Sequence, residues 1–231
     1  VLERAEEAFG VPPAIVTAII GVETYYGRHA GRYPVLDTLA TLAFGYPPRA
    51  AFFRSELEQF LLLARNEQID PGTVRGSYAG AMGMPQFISS SYRHYAIDFD
   101  GDGRRDLWDS TADAVGSVAS YLAEHGWLAG APVAERVRPS GDAYRRLIRD
   151  SLEPSITGAQ LGEAGVEVDA PLHEDEQVTV LELEGSQGRE IWVGWRNFYA
   201  ITRYNHSPLY AMAVHQLSHR IRAAGEAEAS S

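Results

Sequence analysis

The chain has 231 residues, no cysteine and a net charge of −11, with 45% hydrophobic and 22% charged residues. That composition buries a core, and the length allows one large domain or two small ones. The missing cysteines exclude thiol nucleophiles, disulfides, iron–sulfur clusters and cysteine-based zinc sites, and the acidic balance without any Lys/Arg run argues against nucleic acid and anionic lipid.

Taken in chain order, the first half reads as helical. Leu2, Ala5, Ala8 and Phe9 share one helical face that Gly10 ends, and Pro12 and Pro13 suit the first turn of a helix whose Ile15, Ala18, Ile19 and Val22 recur every three or four residues. The uncharged run Val11 to Val22 is twelve residues, too short to cross a bilayer. Because the chain opens on Val1 inside a helical pattern and without Met, a preceding segment with any targeting signal is expected. Arg49 to Asn66 is a long amphipathic helix, Gly72 to Ser91 a loop with short helix, and Ser110 to Gly126 a helix capped by Ser110 or Thr111.

Near Pro132 the composition shifts. A small β-containing lobe is expected over 132–195, with a helix at Asp142 to Ser151 and strands at Gln177 to Leu183 and Glu190 to Val193. Residues 196–231 return to helix, Ser207 serving as N-cap and Pro208 as first residue, and the tail 223–231 is expected to fray. The fold predicted is α+β and mainly α: a helical core over 1–131, the lobe over 132–195, and a helical return to the core over 196–231.

Four segments carry chemistry. Glu23 falls on the apolar face of its helix near the C-terminal end, where partial burial and the helix dipole both disfavour the anion, so its pKa is expected to rise as a general acid requires. The same spacing also suits a Glu paired with Arg28 or Arg32. Gly76 to Tyr92 combines glycines with the uncharged donors and acceptors of Ser77, Tyr78, Gln86, Ser90 and Tyr92, a mixture suited to a sugar or to a structural turn with buried hydroxyls. In Asp98 to Asp109, Asp98, Asp100, Asp102, Arg104 (through its carbonyl), Asp106 and Asp109 occupy positions 1, 3, 5, 7, 9 and 12 of an EF-hand loop, which predicts a structural Ca²⁺ of modest affinity because position 12 is Asp and not Glu. Phe198 to Tyr210 sets aromatics, Asn205 and His206 beside a helix start, as a groove wall or a hydrophobic staple with an N-cap. His215 and His219 stand four apart without the Glu of a zinc protease, so they read as a core or solvated pair.

These four segments, in this order and spacing, resemble the MltB-type lytic murein transglycosylases, and the resemblance spans Val11 to about Leu217. It implies a lysozyme-like helical core acting on peptidoglycan glycan strands: non-hydrolytic cleavage of the β-1,4 MurNAc–GlcNAc bond to 1,6-anhydroMurNAc ends, with Glu23 as acid and then base. It further implies that Ser77 orients Glu23, that Tyr78, Met84, Gln86, Phe87, Tyr121, Tyr204, Asn205 and Tyr210 contact the sugars, and that the aspartate loop holds a structural Ca²⁺ without an organic cofactor. A periplasmic monomer is implied, soluble or anchored to the outer membrane through the preceding segment, with cell-wall synthases or hydrolases as companions. The rival readings are a lysozyme-type hydrolase, which would need a second carboxylate such as Asp37, and a calcium-stabilised glycan-binding module without turnover.

Overall fold

In a computed structural model, residues 1–229 are described; Ser230 and Ser231, with the end of the tail expected to fray, lie outside them. The chain divides into two compact units, Val1–Tyr121 with Arg220–Ser231, and Leu122–His219. The division falls inside one helix, upstream of the composition shift near Pro132, and most of the C-terminal helical segment groups with the second unit.

In the first unit, α1 (Leu2–Phe9) ends on Gly10, whose left-handed φ of 70° lets its N–H reach the Glu6 carbonyl. Helix α2 (Pro13–Thr24) buries Ile15, Val16, Ala18, Ile19 and Ile20, so its charge-free sequence is that of a core helix. A two-residue strand β1 (Tyr33–Pro34) pairs antiparallel with β2 (Arg75–Gly76), and the helices α3 (Val35–Gly45) and α4 (Ala50–Asn66) lie between them in sequence. Arg54 Nε ties α4 to the Ala43 carbonyl of α3 at 3.1 Å. Helix α5 (Ser89–Tyr95) starts where the buried Glu56 of α4 accepts from the Ser90 N–H at 3.0 Å, so a remote carboxylate does the work of an N-cap. Helix α6 (Thr111–Glu124) is capped by Ser110, whose Oγ accepts from the Asp113 N–H at 3.2 Å.

The second unit is built on an antiparallel sheet in the order β3 (Ala134–Val137), β6 (Gly188–Gly194), β5 (Gln177–Gly185), β4 (Ile156–Thr157). The hairpin β5–β6 runs in register from Thr179 against Gly194 to Gly185 against Gly188, and Val178, Val180, Ile191, Val193 and Trp195 pack with Leu161, Tyr144 and Leu147 as its core. Helix α7 (Gly158–Glu163) opens with a complete capping box between Thr157 and Gln160. The helix expected at Asp142 to Ser151 is only a 3₁₀ turn over Ala143–Leu147, because Tyr144 and Leu147 turn into the core at a spacing of three. Helices α8 (Arg196–Tyr204) and α9 (Pro208–Ala229) follow, and the tail expected to fray is helical through Ala229. Among the described residues no single helix is long and apolar enough to cross a membrane.

Candidate active site and acidic loop

Glu23 is half-buried, one residue before the end of α2. The helix stops because Tyr25 and Tyr26 take left-handed φ values of 51° and 60°, while the Tyr25 N–H still returns to the Gly21 carbonyl at 2.9 Å. Two consecutive left-handed tyrosines are costly backbone, and such strain concentrates where a side chain must be held in place. Thr24 does part of that holding. Its Oγ1 donates to the Met84 carbonyl at 2.9 Å and accepts from the Gly27 N–H at 3.0 Å, joining the end of α2 to the glycine-rich segment.

That segment is a stack of tight turns on β2. Ser77 Oγ accepts the N–H groups of Ala79 and Ala81 at 3.2 and 3.0 Å, which leaves its single O–H to donate elsewhere. Met82 and Phe87 exchange backbone bonds of 2.8 and 3.0 Å around Gly83–Gln86. Gly83 is obligatory there: at a φ of 70° a Cβ would lie 2.5 Å from the Leu107 carbonyl oxygen. Gln86 is left-handed, with φ 52°, and its side-chain NH₂ donates to the carbonyls of Gly83 at 2.9 Å and Ala30 at 3.1 Å. Its carboxamide therefore ties this turn to the loop that follows Glu23.

The residues expected to touch sugar differ in exposure. Tyr78 is 76% exposed, Met84 is half-buried, and Phe87 is 2% exposed. Tyr121 is also buried, its ring 5.6 Å from Phe87 and 4.7 Å from Tyr95 between centroids, so Phe87 and Tyr121 pack in the core. Within the second unit, Tyr204 and Tyr210 flank the α8–α9 corner with rings 6.3 Å apart and nearly parallel at 11°, and Asn205 is exposed between them. His215 and His219 make an edge contact at 4.5 Å, His215 being buried and His219 exposed, so only the first belongs to the core.

Two of the cavities in the first unit bear on these segments. One, of about 510 Å³, is lined by Leu2, Thr17, Ile20, Tyr26, Met84 and Val115, and so adjoins the end of α2; the other, of about 700 Å³, lies beside the acidic loop at Glu67, Arg75, Arg105 and Trp108. Glu23 lines neither.

The acidic loop is wound around its own aspartates. Asp98 accepts from Gly101, Asp102 and Gly103, Asp102 from Arg104, and Asp106 from Trp108 and Asp109, at 2.7 to 3.1 Å. Carboxylate oxygens of Asp98, Asp100 and Asp113 lie within 4.8 Å of one another, and Asp113 also accepts the N–H groups of Phe99, Asp100 and Asp106. The partner that meets positions 1 and 3 is thus Asp113, from the first turn of α6, while Asp109 is exposed and its N–H serves the Asp106 turn. Spacing missed Asp113 because a twelve-residue template ends at 109; the signal available was an Asp in a helix first turn right after an acidic loop, and the structure buries it fully. A cluster of hard carboxylate oxygens fits Ca²⁺. Nearby, burial and the adjacent Glu67 push the Tyr92 phenol far above its ordinary value, so it stays a donor, to the Arg105 carbonyl.

The first unit thus carries a half-buried carboxylate near the end of α2, a polar glycine-rich turn tied to that helix end through Thr24, and a cluster of acidic oxygens. The family model for the Transglycosylase SLT domain matches residues 1–219, and the chain belongs to that family. It is 49% identical over 220 residues to Membrane-bound lytic murein transglycosylase B of Escherichia coli K12, covering 95% of this chain and 60% of the relative, so the chain spans under two thirds of that protein's length. The structure of soluble lytic transglycosylase SltB1 of Pseudomonas aeruginosa matches with a TM-score of 0.92 at 50% identity, over 97% of this chain and 75% of that one. Escherichia coli Slt35 in complex with calcium matches with a TM-score of 0.88 at 48% identity, over 96% and 70%. SltB3 of Pseudomonas aeruginosa in complex with NAG-anhNAM-pentapeptide matches with a TM-score of 0.83 at 37% identity, over 94% and 58%. Relatives are thus named both membrane-bound and soluble.

Proposed function

We propose that this chain is the catalytic part of a lytic murein transglycosylase that cleaves the β-1,4 MurNAc–GlcNAc bond of peptidoglycan without water. One observation carries the choice of mechanism: Glu23 is the only carboxylate in the two segments that Thr24 binds together, since 24–36 and 72–91 contain no Asp or Glu. A two-carboxylate hydrolysis needs a second group across the sugar. A single carboxyl suffices where the nucleophile belongs to the substrate. The Glu23 carboxyl protonates the glycosidic oxygen as the C1–O bond breaks; the C6 hydroxyl of the same muramoyl residue then bonds to C1, and its proton returns to Glu23. The product carries a 1,6-anhydro ring, the group in the SltB3 complex.

Ser77, with one O–H left to donate, orients the Glu23 carboxyl. Within the first unit Tyr78, Met84, Gln86, Phe87 and Tyr121 serve the sugars; within the second, Tyr204, Asn205 and Tyr210 are sugar contacts. Asp98, Asp100 and Asp113 hold a structural Ca²⁺, which offsets their mutual repulsion and ties the loop to α6. The enzyme works in the periplasm as a monomer, soluble or anchored, in company with cell-wall synthases or hydrolases. The deciding experiment is product analysis of digested peptidoglycan. Anhydro ends from the parent protein, and their loss in Glu23→Gln, bear the reading out; reducing ends would make the protein a hydrolase, and no turnover a binding module.

A further inference from the structure

Between Glu23 and Asp37 the chain carries Arg28, His29 and Arg32 and not one carboxylate, in a protein whose net charge is −11. All three side chains are exposed. Among the described residues neither arginine forms an ion pair; each lies over a tyrosine ring instead, Arg28 at 5.0 Å from the Tyr25 centroid and Arg32 at 5.7 Å from that of Tyr33. His29 stacks on Tyr25 at 6.1 Å and 15°, so one ring organises two of the basic groups. Tyr25 and Tyr33 are themselves about half exposed, at 54% and 44%.

The backbone beneath these groups is tied down at several points. The His29 N–H donates to the Thr24 carbonyl at 2.9 Å, and the Ala30 carbonyl accepts from Gln86 Nε2 at 3.1 Å. Gly31, at a φ of 98°, runs so close to β2 that a Cβ would stand 2.1 Å from the Gly76 carbonyl carbon and 2.5 Å from the Ser77 nitrogen. The loop therefore lies beside the two residues assigned to catalysis, Glu23 at one end and Ser77 alongside. Guanidinium groups that are fixed on aromatic rings and left without acidic partners are arranged to receive a carboxylate from outside.

We infer that Arg28 and Arg32, with His29, bind the carboxylates of the peptide stem carried by the muramoyl residue, and so favour stem-bearing over denuded glycan. The inference rests on the proposed peptidoglycan substrate and assigns the stem-reading groups of that same site. The stem is an acidic peptide attached to the sugar whose C1 reacts, so its binding positions the bond next to Glu23.

The test compares the parent, Arg28→Gln/Arg32→Gln and Arg28→Lys/Arg32→Lys on two substrates: intact peptidoglycan, and glycan strands stripped of stems by an amidase. The Gln pair should lose about three- to tenfold in kcat/KM on intact material, with the Lys pair in between, and little on stripped strands. Equal losses on both substrates, or none, would overturn the assignment. A second arm needs no turnover. In the Glu23→Gln background, calorimetry with a disaccharide-pentapeptide and with the same disaccharide lacking peptide should show tighter binding of the former, weakened by added salt and abolished by the Gln pair. Equal affinity for the two ligands sinks the stem assignment even where the parent forms anhydro ends. Failure of the parent to form anhydro ends instead sinks the proposed function and leaves the binding comparison standing.

Discussion

Thr24 Oγ1 donates to the Met84 carbonyl at 2.9 Å, and this one bond joins the residue after Glu23 to the turn that carries Gln86. Thr24 is 1% exposed, so Thr24→Val keeps its shape and leaves the Met84 carbonyl without that donor. The expected cost is about 1–2 kcal/mol of stability. Because the carboxyl and the turn would then drift apart, kcat should fall more than KM rises; denaturant unfolding and steady-state kinetics read the two effects.

Glu23→Gln keeps the volume and removes the proton donor. Each general acid–base step contributes about 10²–10⁴-fold, so release of anhydro-muropeptides should drop by at least the lower figure with the melting midpoint nearly unchanged. A large drop in melting midpoint would reassign Glu23 to structure.

Calcium removal should separate Asp113 from Asp109. An ion present at a hundred times its dissociation constant stabilises the fold by about 2.7 kcal/mol, so chelator should lower the parent's melting midpoint and added Ca²⁺ restore it. Asp113→Asn should abolish that response, because it removes charge from the cluster with Asp98 and Asp100. Asp109→Asn should leave most of it, since Asp109 is exposed and outside the cluster.

Gly83→Ala forces a Cβ to within 2.5 Å of the Leu107 carbonyl oxygen at a left-handed φ of 70°. The expected destabilisation is roughly 2–4 kcal/mol, with turnover lost in proportion to the displaced Met84–Gln86 turn. A variant of unchanged stability would mean that this turn is not rigid.

In the second unit, Asn197 is fully buried, its Oδ1 accepting from Leu128 N–H at 2.7 Å and its Nδ2 donating to the carbonyls of Leu128 and Ala131 at 2.9 Å. Asn197→Ala orphans these backbone groups and should cost about 2–4 kcal/mol, seen as a lower denaturation midpoint.

Local patterns made much of this protein legible before any fold was in hand. The spacing of Ile15, Ala18 and Ile19 predicts α2, alternation predicts the strands β5 and β6, and Pro208 behind Ser207 predicts the start of α9, because each depends on near neighbours. The 3₁₀ turn at Ala143–Leu147 escaped, since burial of Tyr144 and Leu147 in a distant sheet's core overrides the helical pattern. The role of Glu56 as a remote N-cap escaped for a related reason: its partner Ser90 is far away in sequence.

The sequence by itself determined that the charge of −11 is unevenly spread, dense in acids at 98–109 and without any from 24 to 36. Only the tertiary structure decided that Asp113 and not Asp109 joins Asp98 and Asp100, and that Arg28 and Arg32 lie exposed over tyrosine rings. Charge and periodicity are properties of residues and short windows. Which carboxylates come within reach of one another, and which rings the arginines lie over, depend on distances between groups that the chain brings together only on folding.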